Sequence, residues 1–424
     1  MAAKRCEIAG LRQLALTSEL VGAVAQLVHA LQRERGLSNL YLGSQGLHWA
    51  NERSEQVAQS QLFQTAVQAC FDQMDTEAAQ SGHRARLFGR IAYALQGLTA
   101  LPLLRERVQT QAWNVTQTTN AYIRLISALL AVVFEAADSA WDPGISRHLV
   151  ALFNFMQGKE FAGQERATGS ALFAAGRAHV DGQQRLLHLI ESQERCLQVF
   201  ADFSSDELQQ LWTQAQRPDL MASLERLRRI LCTTQDGAPL DAGTSQTWFD
   251  ACTRRIDSMK SVEDALAAEL LSLCAKRVRA AEQDLTAFER LRTAVASPAD
   301  GDNLARDADF FQDAPEQTPS LPVTLGQPGQ PYGPQVERSI LELVREQSQR
   351  LQLMGDELDT VRASLNERKT IERAKGLLMA HRHLSEEAAH KTMRQMAMNQ
   401  NRRLIEVAEA VLSMAEVLPD RPFR

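Results

Sequence analysis

Three stretches of this chain place a cation where a helical pattern calls for a hydrophobe. In LVHALQRERGLSNLYLGSQG, Arg35 shares a face with Leu27, Leu31, Ser38 and Leu42. In NFMQGKEFAGQERATGSALFAAG, Arg166 falls on the face of Phe155, Lys159, Ala162 and Phe173. In SQTWFDACTRRIDSMKSVEDAL, Arg255 aligns with Trp248, Ala251, Cys252, Met259 and Val262, whereas Arg254 faces Asp250 and Ser258 and reads as solvated. An arginine stranded among apolar side chains costs several kcal/mol, so each needs an internal carboxylate or a bound anion. Glu34, Glu160 and Glu165 are the carboxylates at hand, and the pattern leaves both answers open. A guanidinium fork offers two parallel donors, which suits two oxygens of a small planar oxyanion. Two forks from opposite helices would hold such an ion edge-on in a small, mostly apolar cavity.

A second group of candidates sits near the C-terminus. The chain carries a net charge of −6, yet between Arg362 and Arg403 ten basic side chains face four acidic ones. An acidic protein with one concentrated basic segment typically uses it on a polyanion. Arg362, Lys369, Arg373 and Gly376 recur at helical spacing as one stripe, and the bare Gly376 allows a phosphate to approach the backbone. Arg368 and Lys375 flank that stripe, and Arg394, Gln395, Asn399 and Arg402 gather near a later polar turn. No aromatic residue occurs between Gly333 and Pro422, which argues against modules that stack bases on rings. A charged, amide-rich helical face suited to structured RNA remains. The segment lacks the compact core and short glycine-like turn of a DNA helix-turn-helix, so no DNA target is expected.

The elements that position these groups are all helical. Apolar residues recur at helical spacing from the start of the chain to about residue 296, as in Leu20-Val24-Leu27-Leu31 and Val262-Leu266-Leu270, with almost no β-branched alternation. Nearly 300 residues of helix predict a pair of four-helix bundles. ERGLSNLYLGSQG and ERATGSALFAAG form a weak internal repeat that makes Arg35 and Arg166 pseudo-equivalent. Seven of the thirteen prolines then fall between Ser297 and Pro334, predicting a linker over residues 297–335 between domains at 1–296 and 336–424. Beyond it, Ile340, Val344, Gln347, Leu351, Met354, Leu358, Val361 and Leu365 follow a heptad seam. That seam serves either a homodimer or packing within the chain. Leu384-Ser385-Glu386-Glu387 predicts a capped helix start, and a last helix carries Leu404, Val407, Ala408 and Val411 on one face.

With these residues in view, two family resemblances appear. QRERGLS, QGKEFAGQERA and WFDACTRRID followed by Val262-Glu263-Asp264 resemble the NIT domain, the nitrate- and nitrite-sensing region of bacterial regulators, over about residues 21–271. IERAKGLLM, LSEEAAHKTMRQMAM and LIEVAEAVL resemble the ANTAR domain, an RNA-binding antitermination module, over residues 366–412. The pairing implies a nitrate-responsive antiterminator of the kind that serves nitrate-assimilation operons. The resemblance implies nitrate or nitrite as effector, clamped by arginines from different helices, with Arg35 and Arg255 as first choices and Lys159 and Arg166 as second. It implies a three-helix RNA-binding module that takes hairpins in leader mRNA. The other reading open to the residues is an all-helical anion sensor acting through coiled-coil protein partners or DNA.

Several classes find no support. Six dispersed cysteines contain no CxxC pair, which suits a reducing, cytoplasmic setting. No P-loop, GxGxxG or nucleophile constellation is present, so neither an enzyme nor a cofactor is expected. Glu387 and His390 have the Glu-x-x-His spacing of a di-iron bundle but lack a partner motif, and a solvated helix face accounts for them without a metal. No signal peptide is read, and the apolar stretch Leu125–Ala137 is too short to span a bilayer, so no membrane is expected.

Overall fold

A computed structural model describes residues 2–74, 82–296, 334–382, 384–400 and 402–417, and among them the regular elements are all helices. They are α1 (Ala2–Gly43), α2 (Ala50–Asp72), α3 (Gly82–Gln109), α4 (Val115–Ser139), α5 (Pro143–Ala175), α6 (Val180–Phe203), α7 (Asp206–Ala215), α8 (Pro218–Thr233), α9 (Thr244–Ala296), α10 (Pro334–Arg382), α11 (Glu386–Gln400) and α12 (Leu404–Val417). The expected linker falls almost wholly on residues 297–333, outside the described residues, and α10 already begins at Pro334.

Local chemistry sets the helix ends. Asn114 and Gln117 form a reciprocal capping box at α4. Asp142 caps α5 with Pro143 in its first turn, and Gly176, at φ 66°, closes it in a left-handed conformation that glycine adopts freely. Ser385 accepts from the Ala388 amide, so the expected cap of α11 forms.

Helices α1 to α4 make the first bundle; α5, α6, α8 and α9 make the second, with α7 laid on α9. The long helices α1 and α9 also pack on each other, and α4 packs on α5, so the two bundles share a continuous core from Ile8 to Ala281. A second core gathers Leu172, Phe173, Leu224, Leu231 and Trp248 around the start of α9. A third, built from Ala374, Met393, Ala397, Val407 and Ala408, unites α10, α11 and α12.

The heptad seam on α10 divides. Val361 and Leu365 are buried in the first core against the N-terminal bundles, so this end of the seam packs within the chain. The side chains from Ile340 to Met354 lie outside the described residues.

By length and composition α1, α3 and α4 are apolar enough to cross a membrane, because α4 extends the Leu125–Ala137 stretch to 25 residues. The apolar windows of α1 and α4 are each 61% buried inside the bundles, where α2, α5 and α9 cover them, and that of α3 is 33% buried.

Gly169 on α5 sits directly under the Trp248 indole, whose Nε1 donates to the Arg166 carbonyl at 3.0 Å. A Cβ at Gly169 would overlap the buried ring. Gly169→Ala is therefore expected to destabilise the second bundle by about 1–3 kcal/mol, despite a helix-propensity gain of about 1 kcal/mol. A lower urea midpoint of the full chain checks this.

Candidate functional site

Helix α5 is the electrostatic centre of the sensor region, since Lys159, Glu160, Glu165 and Arg166 all lie within two turns of it. Lys159 and Glu160 are fully buried, and each meets a side chain from another helix. Glu160 takes the Arg35 fork through both oxygens, at 2.5 and 3.2 Å, and also accepts from Gln32 and Gln164 at 2.9 Å each. Lys159 meets Glu263 of α9 at 2.6 Å, and burial holds its ammonium below the usual lysine range even so. Close crossing makes this packing possible: a Cβ at Gly163 would lie 2.7 Å from Arg35 Nη2, and one at Gly36 would lie 3.1 Å from Arg166 Nη2.

One turn further along, Glu165 serves the opposite side of α5. Arg228 of α8 reaches both its oxygens at 2.7 Å, and Gln193 donates to it at 2.6 Å. Arg255 donates to the Gln193 oxygen at 2.6 Å and stands 3.7 Å from Glu165, while its Nε is buried with no partner. Burial, then the neighbouring Arg228, lowers the Arg255 pKa.

Arg166 is the exception. It donates to the Thr253 hydroxyl at 2.9 Å and lies 4.7 Å from the Phe249 ring centroid, and among the described residues it has no ion pair. Burial, then the nearby Arg35 charge, pulls its pKa down to about 10. It stays protonated at neutral pH, but an anion would relieve it.

Arg166 opens onto a cavity of about 440 Å³ between α1, α5 and α9, lined also by His29, Gln32, Arg33, Gly36, Leu37, Leu40, Trp49, Gly163, Phe249, Thr253, Ile256 and Asp257. A water occupies about 30 Å³, so a small anion fits with several waters, in a roomier but still mostly apolar place. Trp49 at its rim has φ 70°, a strained conformation for an aromatic residue.

Of the four residues expected at the clamp, Arg166 alone lines this cavity. Arg35, Lys159 and Arg255 each lie against an internal carboxylate, and neither Arg35 nor Arg255 lines the cavity. The polar pattern revealed which cations are buried, but the partner assignments depend on helix crossings that no spacing within one helix encodes. Arg228, buried on Glu165, escaped notice because LERLRRIL reads as an ordinary amphipathic face. Arg105, paired with the buried Glu34 that also accepts from Tyr122, escaped for the same reason. Arg254 is exposed, as expected.

At the C-terminal module the basic candidates split between two faces. Arg362, Arg373 and Gly376 are exposed, as are Gln395, Asn399 and Arg402, with Gln395 bonded to Asn399. Arg368, Lys369 and Arg394 instead meet the N-terminal bundles. Arg368 donates to Asn154 at 3.0 Å and covers the Phe153 ring, Lys369 meets Asp138 at 2.6 Å, and Arg394 pairs with Glu191. Lys375 is buried within its own module between Glu372 and Glu386, at 2.8 and 2.9 Å. His390 is likewise buried, against His188 of α6 with ring centroids 5.1 Å apart, and so does not lie on the solvated face expected of it.

The family model for nitrate and nitrite sensing (NIT) matches residues 26–271, and the ANTAR domain model matches residues 359–412. The chain is 33% identical over 413 residues to the nitrate regulatory protein of Klebsiella oxytoca, covering 97% of this chain and 93% of that one. It is also similar to the solved structure of the NasR transcription antiterminator, at 31% identity and a TM-score of 0.60 over 98% of both chains.

The His188–His390 contact should make docking of α11 sensitive to acid. Burial, then Arg195, His188, Lys375 and Arg394, depresses the His390 pKa to about 4, and burial also lowers that of His188. An undocked imidazole titrates near 6.5, so between about 6.5 and 4 the undocked state binds more protons. Docking is expected to weaken as pH falls through that window. Protection factors of the α11 amides, taken against the intrinsic exchange rate at each pH, should fall accordingly, and His390→Gln should flatten the dependence.

Proposed function

Because this chain belongs to the family of nitrate- and nitrite-sensing (NIT) proteins and carries an ANTAR domain, we propose that it is a nitrate- or nitrite-responsive transcription antiterminator that binds hairpins in leader mRNA. The setting is cytoplasmic, and the sensor spans residues 1–296, with the RNA-binding module in 336–424. The observation that carries the sensing half is the Arg166 guanidinium, half-buried without an ion pair among the described residues at the wall of a cavity in the NIT region.

Nitrate and nitrite are planar or bent monoanions whose oxygens match the donors of a guanidinium fork. Arg166 supplies the first fork, the Thr253 hydroxyl stands beside it, and Arg33 adds charge at the mouth. Arg35 lies immediately behind, occupied by Glu160. An anion at Arg166 offsets the repulsion between the two guanidiniums and alters the packing of α1 on α5. Arg255 acts from the far side of α5, as support for Glu165 rather than as a ligand.

The response half rests on the contacts of Arg368, Lys369 and Arg394 with the bundles. RNA cannot use those three cations while Asn154, Asp138 and Glu191 hold them. Asn154 precedes Glu160 by six residues on α5, about 9 Å along the helix, so one rigid element joins the anion site to the masking contact. The anion shifts the balance through its greater affinity for the arrangement in which the module is free.

Calorimetric titration of the full chain is expected to show nitrate or nitrite binding that Arg166→Ala removes, with RNA binding by that variant no longer responding to the anion. Unchanged titration in Arg166→Ala would overturn the placement. In a second experiment, Asp138→Asn with Glu191→Gln should raise leader-RNA affinity without nitrate to near the nitrate-bound level. Equal RNA affinities in the parent chain with and without nitrate would overturn masking.

A further inference from the structure

His29 lies four residues before Arg33 and six before Arg35 on α1, and it lines the same cavity as Arg166. Its Nδ1 is buried without a hydrogen-bond partner. The ring makes no hydrogen bond among the described residues, so Nε2 is the nitrogen left open to the cavity.

The charges around it come from all three helices that enclose it. Arg33 comes from α1, Lys159 and Arg166 from α5, and Lys260 from α9, and of the acids on these helices Asp257 has no ion pair among the described residues. Glu160 holds Arg35, Glu263 holds Lys159 and Lys260, and Asp264 also holds Lys260; Asp257 reaches the cavity wall. Burial and those four cations keep the His29 imidazole neutral down to a pH of about 2.

A neutral ring carries one N–H. An oxyanion in the cavity can only accept, so it selects the tautomer that carries the proton on Nε2 and leaves the lone pair on the sealed Nδ1. This donor differs from a guanidinium because it adds direction without adding charge.

We propose that His29 is a specificity-determining ligand of the anion site, donating its Nε2–H to one oxygen of nitrate or nitrite while Arg166 takes the others. This rests on the anion-site reading above. The positive field alone attracts any monoanion, chloride included. A fixed neutral donor rewards an oxygen placed on its axis, and so separates an oxyanion from a spherical halide of the same charge. The strained Trp49 at the rim fits this assignment, since strain of that kind persists where the surrounding structure over-determines a binding wall.

The test compares the full-length chain with His29→Leu and His29→Gln by calorimetry with nitrate, nitrite and chloride, alongside thermal midpoints. A hydrogen bond to a charged group is worth about tenfold or more in affinity. His29→Leu is expected to bind nitrate about tenfold more weakly and to lose preference over chloride, while His29→Gln, which keeps an N–H, stays within a few-fold of the parent. Nitrate should also move the His29 imidazole nitrogen resonance in the parent chain. Parent-like nitrate affinity and selectivity in His29→Leu would overturn the assignment. So would equal loss in both variants at unchanged thermal midpoints, because the donor would then be irrelevant. If the parent chain binds no anion in the same titration, the anion-site reading itself fails, an outcome separate from either of these.

Discussion

A cation inside a helical bundle must find a negative partner, and nearly every arrangement in the sensor region follows from that requirement. Helix α5 carries two acids, Glu160 and Glu165, and each neutralises arginines delivered by other helices: Arg35 from α1, Arg228 from α8 and Arg255 from α9. Lys159 reverses the polarity and takes Glu263. Taking such pairs out of water costs several kcal/mol per ion before their attraction repays it. They are therefore weak sources of stability, but they fix strictly which helix faces which. Arg166 breaks the rule, since its charge is left to a hydroxyl and an aromatic face. A cation without an ion pair among the described residues, at the wall of a cavity, is one that a mobile anion can complete.

Much of this was legible from the residues alone, for identifiable reasons. Helical periodicity is local, so the all-helical class, the seam on α10 and the Ser385 cap could be read directly. The buried position of Arg35, Lys159 and Arg255, and the half-buried one of Arg166, followed from the same periodicity, because a cation on an apolar face has nowhere else to go. What periodicity does not contain is the angle and depth at which two helices cross. Glu160 was one carboxylate among three candidates; only the close approach at Gly36 and Gly163 selects it for Arg35. That selection removed Arg35 from the cavity wall and left Arg166 there. His29 was silent for another reason: one histidine within an apolar run looks like an ordinary core residue until its neighbours are known to be four cations.

The division of the basic module into two faces was also hidden, because Arg368 and Arg373 are equally basic in the sequence. Their difference is relational. Arg368 lands on Phe153 and Asn154, while Arg373 faces solvent. The module therefore keeps part of its cationic surface available even when docked. A polyanion meeting Arg362 and Arg373 would compete directly with Asp138 and Glu191 for Lys369 and Arg394. On the proposed masking, ligand and RNA act on one equilibrium from opposite ends, and reciprocity requires that each strengthens binding of the other.

Such a device works only if the docked state is held weakly. An effector can move an equilibrium by no more than its difference in affinity between the two states, and reversing a 99:1 population takes about 5.5 kcal/mol. Exposed ion pairs contribute about 0–1 kcal/mol each. The pair of Arg394 with Glu191 is half open to solvent, and that of Lys369 with Asp138 is partly so. These contacts are strong enough to order a face and weak enough to be outbid. Val361 and Leu365, by contrast, are fully buried in the first core, a contact of apolar area that an ion cannot reach. On the proposed masking the labour on α10 divides: the apolar stem keeps the module beside the sensor, and the charged end is the part within reach of a single bound anion's energy.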